Sequence, residues 1–205
     1  MSRRDLISLT LKGLLSWLAL SCMAWYFGGA LIKALFPLLN SAVMMMTPEL
    51  APSLKLVKSA ETQFEDSIQL SVLLLRPAYL NAGQFIPPGI ELKISAHLLH
   101  VMVPLVIEMT ILFVWPVRYR SQRCLLIALG LLTATMVIMA TLPTQLLGKL
   151  EIPFQEVALT GKSPRLVPWY LDWMMFCEMG GRWLLAIGAA WLCIQLQRGL
   201  LRDKV

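Results

Sequence analysis

Two apolar runs joined by a short basic turn constrain this chain more than any other feature of its sequence. The first run is Leu98–Pro116, and the second is Cys124–Leu147. About 20 apolar residues in an α-helix span the roughly 30 Å hydrocarbon core of a bilayer, so each run is long enough to cross a membrane. The residues between the runs are too few to do more than reverse the chain. We therefore predict a transmembrane hairpin of two antiparallel neighbouring helices.

The turn of this hairpin also predicts its orientation. It carries three arginines, Arg118, Arg120 and Arg123. Basic residues are enriched in cytoplasmic loops because they resist transfer across the membrane. We expect these arginines to anchor the turn in the cytoplasm, and that placement sets the orientation of the remaining segments.

The composition extends the membrane interpretation to the whole chain. Its residues are 58% hydrophobic and only 15% charged, whereas a soluble domain usually carries about 25% charged residues. The net charge is +6. A net positive charge can indicate nucleic-acid binding. Here the enrichment of basic residues in cytoplasmic segments explains the charge. We predict an integral membrane protein that contacts membrane lipids and binds no nucleic acid.

The same reasoning divides the chain into five segments. Residues 1–39 hold a basic lead and an uncleaved first transmembrane helix, and residues 40–96 form an extracytoplasmic insert. Residues 97–147 are the hairpin, 148–176 an extracytoplasmic loop, and 177–205 a fourth helix with a cytoplasmic tail. The expected fold is an all-α membrane protein with four transmembrane helices and a small β-rich insert between helices 1 and 2. We expect both termini to lie in the cytoplasm.

Strand-like alternation marks the insert. Ser67–Leu74 alternates with period two, and Leu54–Lys58 and Ile90–Ile94 are shorter segments of the same kind. The apolar members of the longest segment share one face, namely Ile68, Leu70, Val72 and Leu74. We predict a small antiparallel sheet of two or three strands. Because so small an apolar face cannot support an independent domain, the sheet must pack on helix ends or on a partner.

Glu108 is the most informative polar residue, because it falls near the middle of the second predicted helix. A charged side chain there costs a few kcal/mol and usually faces the interior of the bundle. Helical spacing places His97 on the same stripe and His100 at its edge, so the three side chains could form a proton path or an ion site. The structural interpretation is that a protonated Glu108 hydrogen-bonds to the next helix. The candidate hydrogen-bond partners are Thr133, Thr135 and Gln145. A third interpretation is that Glu108 faces and anchors a partner protein.

A second polar group lies at the predicted outer boundary of the fourth helix. Glu178 and Arg182 are four residues apart and can pair along a helix. Gly180 and Gly181 lie between them and would let another helix approach closely. An intrahelical ion pair is one interpretation, and a docking site for a partner's helix or for an anionic group is the other.

Patterns typical of catalysis or metal binding are weak in this sequence. It contains no Gly-x-Ser-x-Gly, no His-Glu-x-x-His, no phosphate-binding loop and no dinucleotide fingerprint. The spacing of His97 and His100 suits a metal, but suitable further ligands are not close in the sequence. A membrane-embedded hydrolase or transferase would need Cys177 together with these histidines and Arg182. We expect no enzyme activity, no cofactor and no metal.

The order of short motifs adds a resemblance. A first helix that contains Trp25-Tyr26 and ends at Phe36-Pro37 is followed by the strand segment Ser67–Leu75, by Pro87-Pro88-Gly89, and then by the hairpin and the final helix. This layout resembles that of the small membrane proteins encoded beside bacterial exosortases. The resemblance implies a non-catalytic accessory protein of an envelope sorting or surface-export system.

The sequence therefore predicts an accessory or assembly subunit of the inner membrane. It would dock another integral membrane or extracytoplasmic protein through its insert and its helix faces. The alternative from another class is a small transporter or channel component that uses Glu108 and the face formed with His97 and His100.

Overall fold

The computed structural model describes residues 3–58, 66–75, 78–81, 84–117, 119–160 and 166–202. The helices are α1 (Arg3–Met46), α2 (Leu98–Val114), α3 (Arg120–Thr160), α4 (Trp169–Phe176) and α5 (Arg182–Arg202). The strands are β1 (Leu50–Lys58), β2 (Asp66–Leu74), β3 (Ala78–Asn81), β4 (Gln84–Ile86) and β5 (Glu91–His97). Arg118, one of the three predicted anchors, lies outside the described residues.

Three of the described helical stretches are long and apolar enough to cross a membrane. They are Ile7–Met46, Arg120–Leu159 and Trp169–Leu200. Helix α2 is apolar as well, but its 17 residues reach only about 26 Å at roughly 1.5 Å per residue. The chain thus has the fold class of a helical membrane protein. A fourth crossing by α2 stays a prediction.

Helix α1 continues past its predicted end at residue 39. Its buried face includes Ile32, Leu39 and Val43, which follow one another at helical spacing. Because Val43 is buried on the same face, the helix gains by continuing to Met46. The insert therefore begins after Met46, and the boundary predicted at residues 39 and 40 was too early.

Helix α3 gives the largest correction. We predicted a loop from residue 148, yet the helix continues to Thr160 with Pro143 and Pro153 inside it. A proline removes one backbone hydrogen bond from a helix, so prolines suggested a break. Leu147, Glu151 and Ala158 are buried on one helical face, and packing of that face holds the helix together. The loop prediction was therefore wrong for residues 148–160.

The fourth predicted helix begins later than expected. The turn Cys177–Gly181 separates α4 from α5, and Gly180 within it has φ 105°. This left-handed conformation suits glycine and interrupts a right-handed helix. The regular helix therefore starts at Arg182 and not at Cys177. Helix α4 occupies residues predicted as loop with room for one short helix.

The predicted sheet is confirmed, with three strands in the antiparallel order β1-β2-β5. Leu54 lies opposite Leu70, and Leu70 lies opposite Ile94. This row of apolar residues crosses all three strands on one face, and the polar row of Lys55, Gln69 and Ser95 crosses them on the other. A separate hairpin pairs β3 with β4, and the sequence analysis did not predict it.

The apolar face of the sheet packs against helix α1. Ile68, Leu70 and Val72 are fully buried. A methyl group in place of the Gly29 hydrogen would lie 3.2 Å from Leu56 Cδ2, so the helix backbone approaches the sheet closely at this glycine. We had expected the sheet to pack on helix ends or on a partner; in the structure it packs on α1 at Gly29, well inside the helix.

The chain divides into two compact units. The first comprises Met1–Gly28, Met102–Ile138 and Gly180–Val205, and the second comprises Gly29–Val101 and Met139–Met179. The first unit has a core of buried side chains from three helices, namely Met109, Leu112, Leu126, Ala190, Cys193 and Ile194. The second unit contains the whole described sheet and helix α4.

Candidate functional site

Glu108 sits at the centre of the first unit. Its side chain is fully buried, and the hydroxyl of Thr133 donates a hydrogen bond to its Oε1. Cys193 Sγ lies 3.9 Å from the same oxygen and 3.1 Å from Thr133 Oγ1. Among the described residues, the second carboxyl oxygen of Glu108 is buried without a hydrogen-bond partner. The three side chains join α2, α3 and α5.

The surroundings of Glu108 favour the uncharged acid. A hydroxyl and a thiol are its recorded partners, and neither carries a positive charge. Burying an isolated carboxylate costs far more than burying a neutral polar group. Of the three partners that the sequence offered, the structure selects Thr133. Thr135 bonds to the carbonyl of Leu131 within its own helix instead.

The two histidines are placed differently from the prediction. His97 is the last residue of strand β5, opposite Ser67, because the strand alternation continues through the buried Ala96. The prediction that His97 shares a helical face with Glu108 was therefore wrong. His100 lies in the first turn of α2.

Both histidines line an open cleft of about 600 Å³ in the second unit, which we name the histidine cleft. It is lined by His97, His100, Gln145, Lys149, Ile152, Met174, Met175 and Glu178. His100 Nε2 lies 3.4 Å from Glu178 Oε2, and Gln145 Nε2 donates to Glu178 Oε1 at 2.8 Å. The sequence did not suggest this grouping, because its members come from three separate stretches of the chain.

A second cavity of about 310 Å³ lies in the same unit, and we name it the acidic pocket. Its lining is Met46, Thr47, Pro48, Glu49, Leu50, Leu74, Leu92, Leu147, Leu150, Glu151, Phe154 and Tyr170. Glu151 is buried and accepts a hydrogen bond from Gln155 Nε2 at 2.9 Å. The pocket therefore combines apolar walls with two carboxyl groups. Sequence analysis missed Glu151 because its segment had been assigned to a loop.

The predicted pair of Glu178 and Arg182 rested on regular helical spacing. The turn at Gly180 interrupts that spacing, so the i, i+4 rule does not apply between them. Glu178 contacts Gln145 and His100 in the histidine cleft. Arg182 is buried, and so is Gly181. The pairing and the docking roles proposed for the two glycines stay predictions.

The arginines of the hairpin turn have distinct surroundings. Arg123 Nη1 donates to the carbonyl oxygens of Leu112 at 2.8 Å and Phe113 at 2.9 Å. These carbonyls belong to the last turn of α2, which lacks helical donors of its own. Arg120 is exposed at the start of α3. Arg123 therefore caps a helix, in addition to any role in anchoring the turn.

Within the described ranges, no group of three His, Cys, Asp or Glu side chains is placed to hold a metal ion. Cys177, which a hydrolase mechanism would need at the surface, is buried. It is not among the residues that line the histidine cleft.

These features define a helical membrane protein with a small sheet insert, an arginine-capped turn and two cavities beside the sheet and helices of its second unit. No family model, curated protein or solved structure matches the chain.

Proposed function

We propose that this chain is a non-catalytic accessory or assembly subunit of a bacterial envelope protein-sorting or surface-export system. It lies in the inner membrane and docks a partner protein through its insert. The single observation that carries the docking role is the acidic pocket, whose size falls in the range typical of ligand sites. The layout resemblance described above supports the choice of system.

The proposed topology has four transmembrane helices, with α2 as the shortest. Its 17 residues lie at the lower limit for a crossing helix. The arginine-bearing turn stays in the cytoplasm, and the insert is on the outer side. A periplasm-dependent reporter enzyme fused after Arg120 is then inactive, while the same reporter fused after Gly89 is active. The reverse pattern contradicts this topology.

The acidic pocket fits a segment of a partner protein with an apolar stem and a positive charge. Glu49 and Glu151 contribute carboxyl groups, which accept hydrogen bonds from a cationic side chain, and the surrounding side chains are mostly apolar. Lysine and arginine combine these two properties in one side chain. Strand β1 begins at Leu50 in the pocket wall and, among the described strands, is hydrogen-bonded on one side only. Its other edge can pair with an extended segment of the partner.

Co-purification from native membranes in mild detergent tests the proposal. We expect a partner at a constant molar ratio to the chain. Replacing Glu151 with Gln should reduce the recovered partner at least five-fold. Glu156→Gln is the matched control, because Glu156 is exposed on the same helix and lies outside the pocket. Equal recovery of the partner with both variants contradicts docking at this pocket.

A second candidate function is ion or proton translocation. The observation that favours it is the fully buried carboxyl of Glu108 with one unpartnered oxygen, because intramembrane carboxyls often mark ion pathways. Proteoliposomes that contain the purified chain should then pass protons, and Glu108→Gln should abolish the flux. Absence of flux in the unaltered protein excludes this candidate.

A further inference from the structure

The histidine cleft carries groups of both charge signs. Glu178 Oε1 accepts a hydrogen bond from Gln145, and Glu178 Oε2 lies 3.4 Å from His100 Nε2. Lys149 Nζ lies 3.4 Å from the carbonyl oxygen of Ser95; an ammonium group has three donors, and this contact uses one. The side chains of His100 and Glu178 remain 46% and 37% exposed. Both are therefore accessible to a molecule entering the cleft.

The polar groups continue directly into an apolar surface. Gln145, Lys149 and Ile152 follow one another at helical spacing along α3 and all line the cleft. Met174 and Met175 of α4 complete the apolar part, and Ile152 and Met175 are exposed. A ligand that matches this surface has a charged end and an apolar end.

The spacing of the two helices at the cleft is set by a glycine. A methyl group in place of the Gly148 hydrogen would lie 2.6 Å from Met174 Sδ, so α3 and α4 approach closely there. The cleft walls are therefore built by packing, and they exist before any ligand binds.

The mixture of charges selects among ligand classes. A simple cation would meet the ammonium of Lys149, and a simple anion would meet the carboxylate of Glu178. A zwitterion that carries an ammonium and a phosphate satisfies both groups. Imidazole nitrogens are also suitable hydrogen-bond donors to phosphate oxygens.

We propose that the histidine cleft binds an aminoethyl phosphate group, as found in the head group of phosphatidylethanolamine. The ammonium contacts Glu178, and the phosphate contacts Lys149 with His97 and His100. The glyceride part lies along Ile152 and Met175. This proposal requires only that the chain is a membrane protein, and it does not depend on the docking of a partner protein.

Lipid binding to the full-length chain in detergent tests this proposal. After delipidation, native mass spectrometry compares phosphatidylethanolamine with phosphatidylglycerol, which has no ammonium, and with phosphatidylcholine, whose ammonium cannot donate hydrogen bonds. We expect phosphatidylethanolamine to bind at least five-fold more tightly than either. Equal binding of the three lipids overturns the proposal.

Substitutions in the histidine cleft test whether the lipid binds there and which charged side chain contacts which part of the head group. Glu178→Gln should remove the preference for phosphatidylethanolamine over phosphatidylglycerol. Lys149→Gln should weaken the binding of phosphatidylethanolamine at least five-fold, and Lys149→Arg should restore that binding. Glu156→Gln and Lys93→Gln are matched controls that should bind as the unaltered chain does. Retained preference in a folded Glu178→Gln variant, with folding checked by circular dichroism, overturns the proposal.

Competition with soluble head-group analogues shows whether the aminoethyl phosphate group must belong to an intact lipid. Soluble glycerophosphoethanolamine displaces the lipid if the head group supplies most of the affinity. If it does not compete, while the preference for phosphatidylethanolamine still depends on Glu178, the intact lipid is the ligand. Displacement by glycerophosphoglycerol to the same extent overturns the proposal.

Discussion

Arg123 closes the end of helix α2 by donating a hydrogen bond from Nη1 to the carbonyl oxygen of Leu112, 2.8 Å away. The bond joins the first turn of α3 to the last turn of α2 across the hairpin turn. Arg198 lies 5.3 Å from the ring of Trp115, and Gln197 Nε2 donates to the carbonyl of Gln122 at 2.9 Å. Helix α5 therefore holds the same turn from another side.

Replacing Arg123 with Gln should lower the free energy of unfolding by about 1.5–3 kcal/mol, the usual contribution of a hydrogen bond to a charged group. Arg120→Gln is the control, because Arg120 is exposed. Unfolding of the two variants in mixed detergent micelles measures the difference. If both variants lose the same stability, the cap on α2 is unimportant.

The second prediction concerns the carboxyl of Glu108. Glu108→Gln keeps a polar group of similar size beside Thr133 and should cost less than about 1 kcal/mol, since a neutral acid and an amide are similar in shape. Glu108→Ala leaves a cavity and removes the bond between helices, so we expect a loss of about 2–4 kcal/mol. Chemical unfolding of both variants measures these losses.

The same pair of variants distinguishes a purely structural role of Glu108 from a functional one. If the side chain acts only as a hydrogen-bonding group, Glu108→Gln retains partner binding at normal abundance in the membrane. If Glu108→Gln destabilises the chain as much as Glu108→Ala does, the uncharged form is not the one that packs against Thr133.

The sequence predicted these features unevenly, for reasons that concern particular residues. The period-two pattern of Ser67–Leu74 identified the sheet and its buried face because alternation is a local property. The bond from Thr133 to Glu108 was among the sequence-based alternatives, since a buried carboxyl needs a nearby hydroxyl. The extension of α3 was missed because Pro153 suggests a break, and only packing of the following turns compensates for it. The histidine cleft was missed because Lys149 and Glu178 come to line one cleft only after α3 packs against α4.

The third prediction tests that packing at Gly148. A Cβ at this position would lie 2.6 Å from Met174 Sδ and 2.9 Å from Met174 Cβ. Because Cβ cannot move without the backbone, Gly148→Ala should lower the free energy of unfolding by about 1–3 kcal/mol, as overpacking usually does.

Gly188→Ala is the control for this prediction. Nothing lies within 4 Å of a Cβ added at Gly188, and alanine is favoured over glycine inside a helix by about 0.5–1 kcal/mol. The control should therefore be neutral or stabilising in the same unfolding measurement. Tolerance of Gly148→Ala would show that α3 and α4 can separate at little cost.

The fourth prediction concerns Glu91 at the start of strand β5. A hydrogen bond from Ser71 holds the pKa of the Glu91 carboxyl below its usual value, and the ammonium of Lys93 adds to the effect; the Lys93 Nζ lies 3.4 Å from the carboxylate. A lowered pKa in the folded state means that the carboxylate stabilises the sheet at neutral pH. This stabilisation is lost as the pH falls through the folded pKa, on the acid side of the ordinary glutamate range.

Ser71→Ala should therefore raise the pKa of Glu91 and move the acid-side loss of stability to higher pH. The carboxyl carbon shift of Glu91, followed by NMR against pH in detergent micelles, measures the pKa directly. Lys93→Gln should raise it too, because Lys93 lowers the pKa of Glu91 both through a hydrogen bond and through its charge. If Ser71→Ala leaves the pKa of Glu91 unchanged, the hydrogen bond between β2 and β5 does not stabilise the carboxylate.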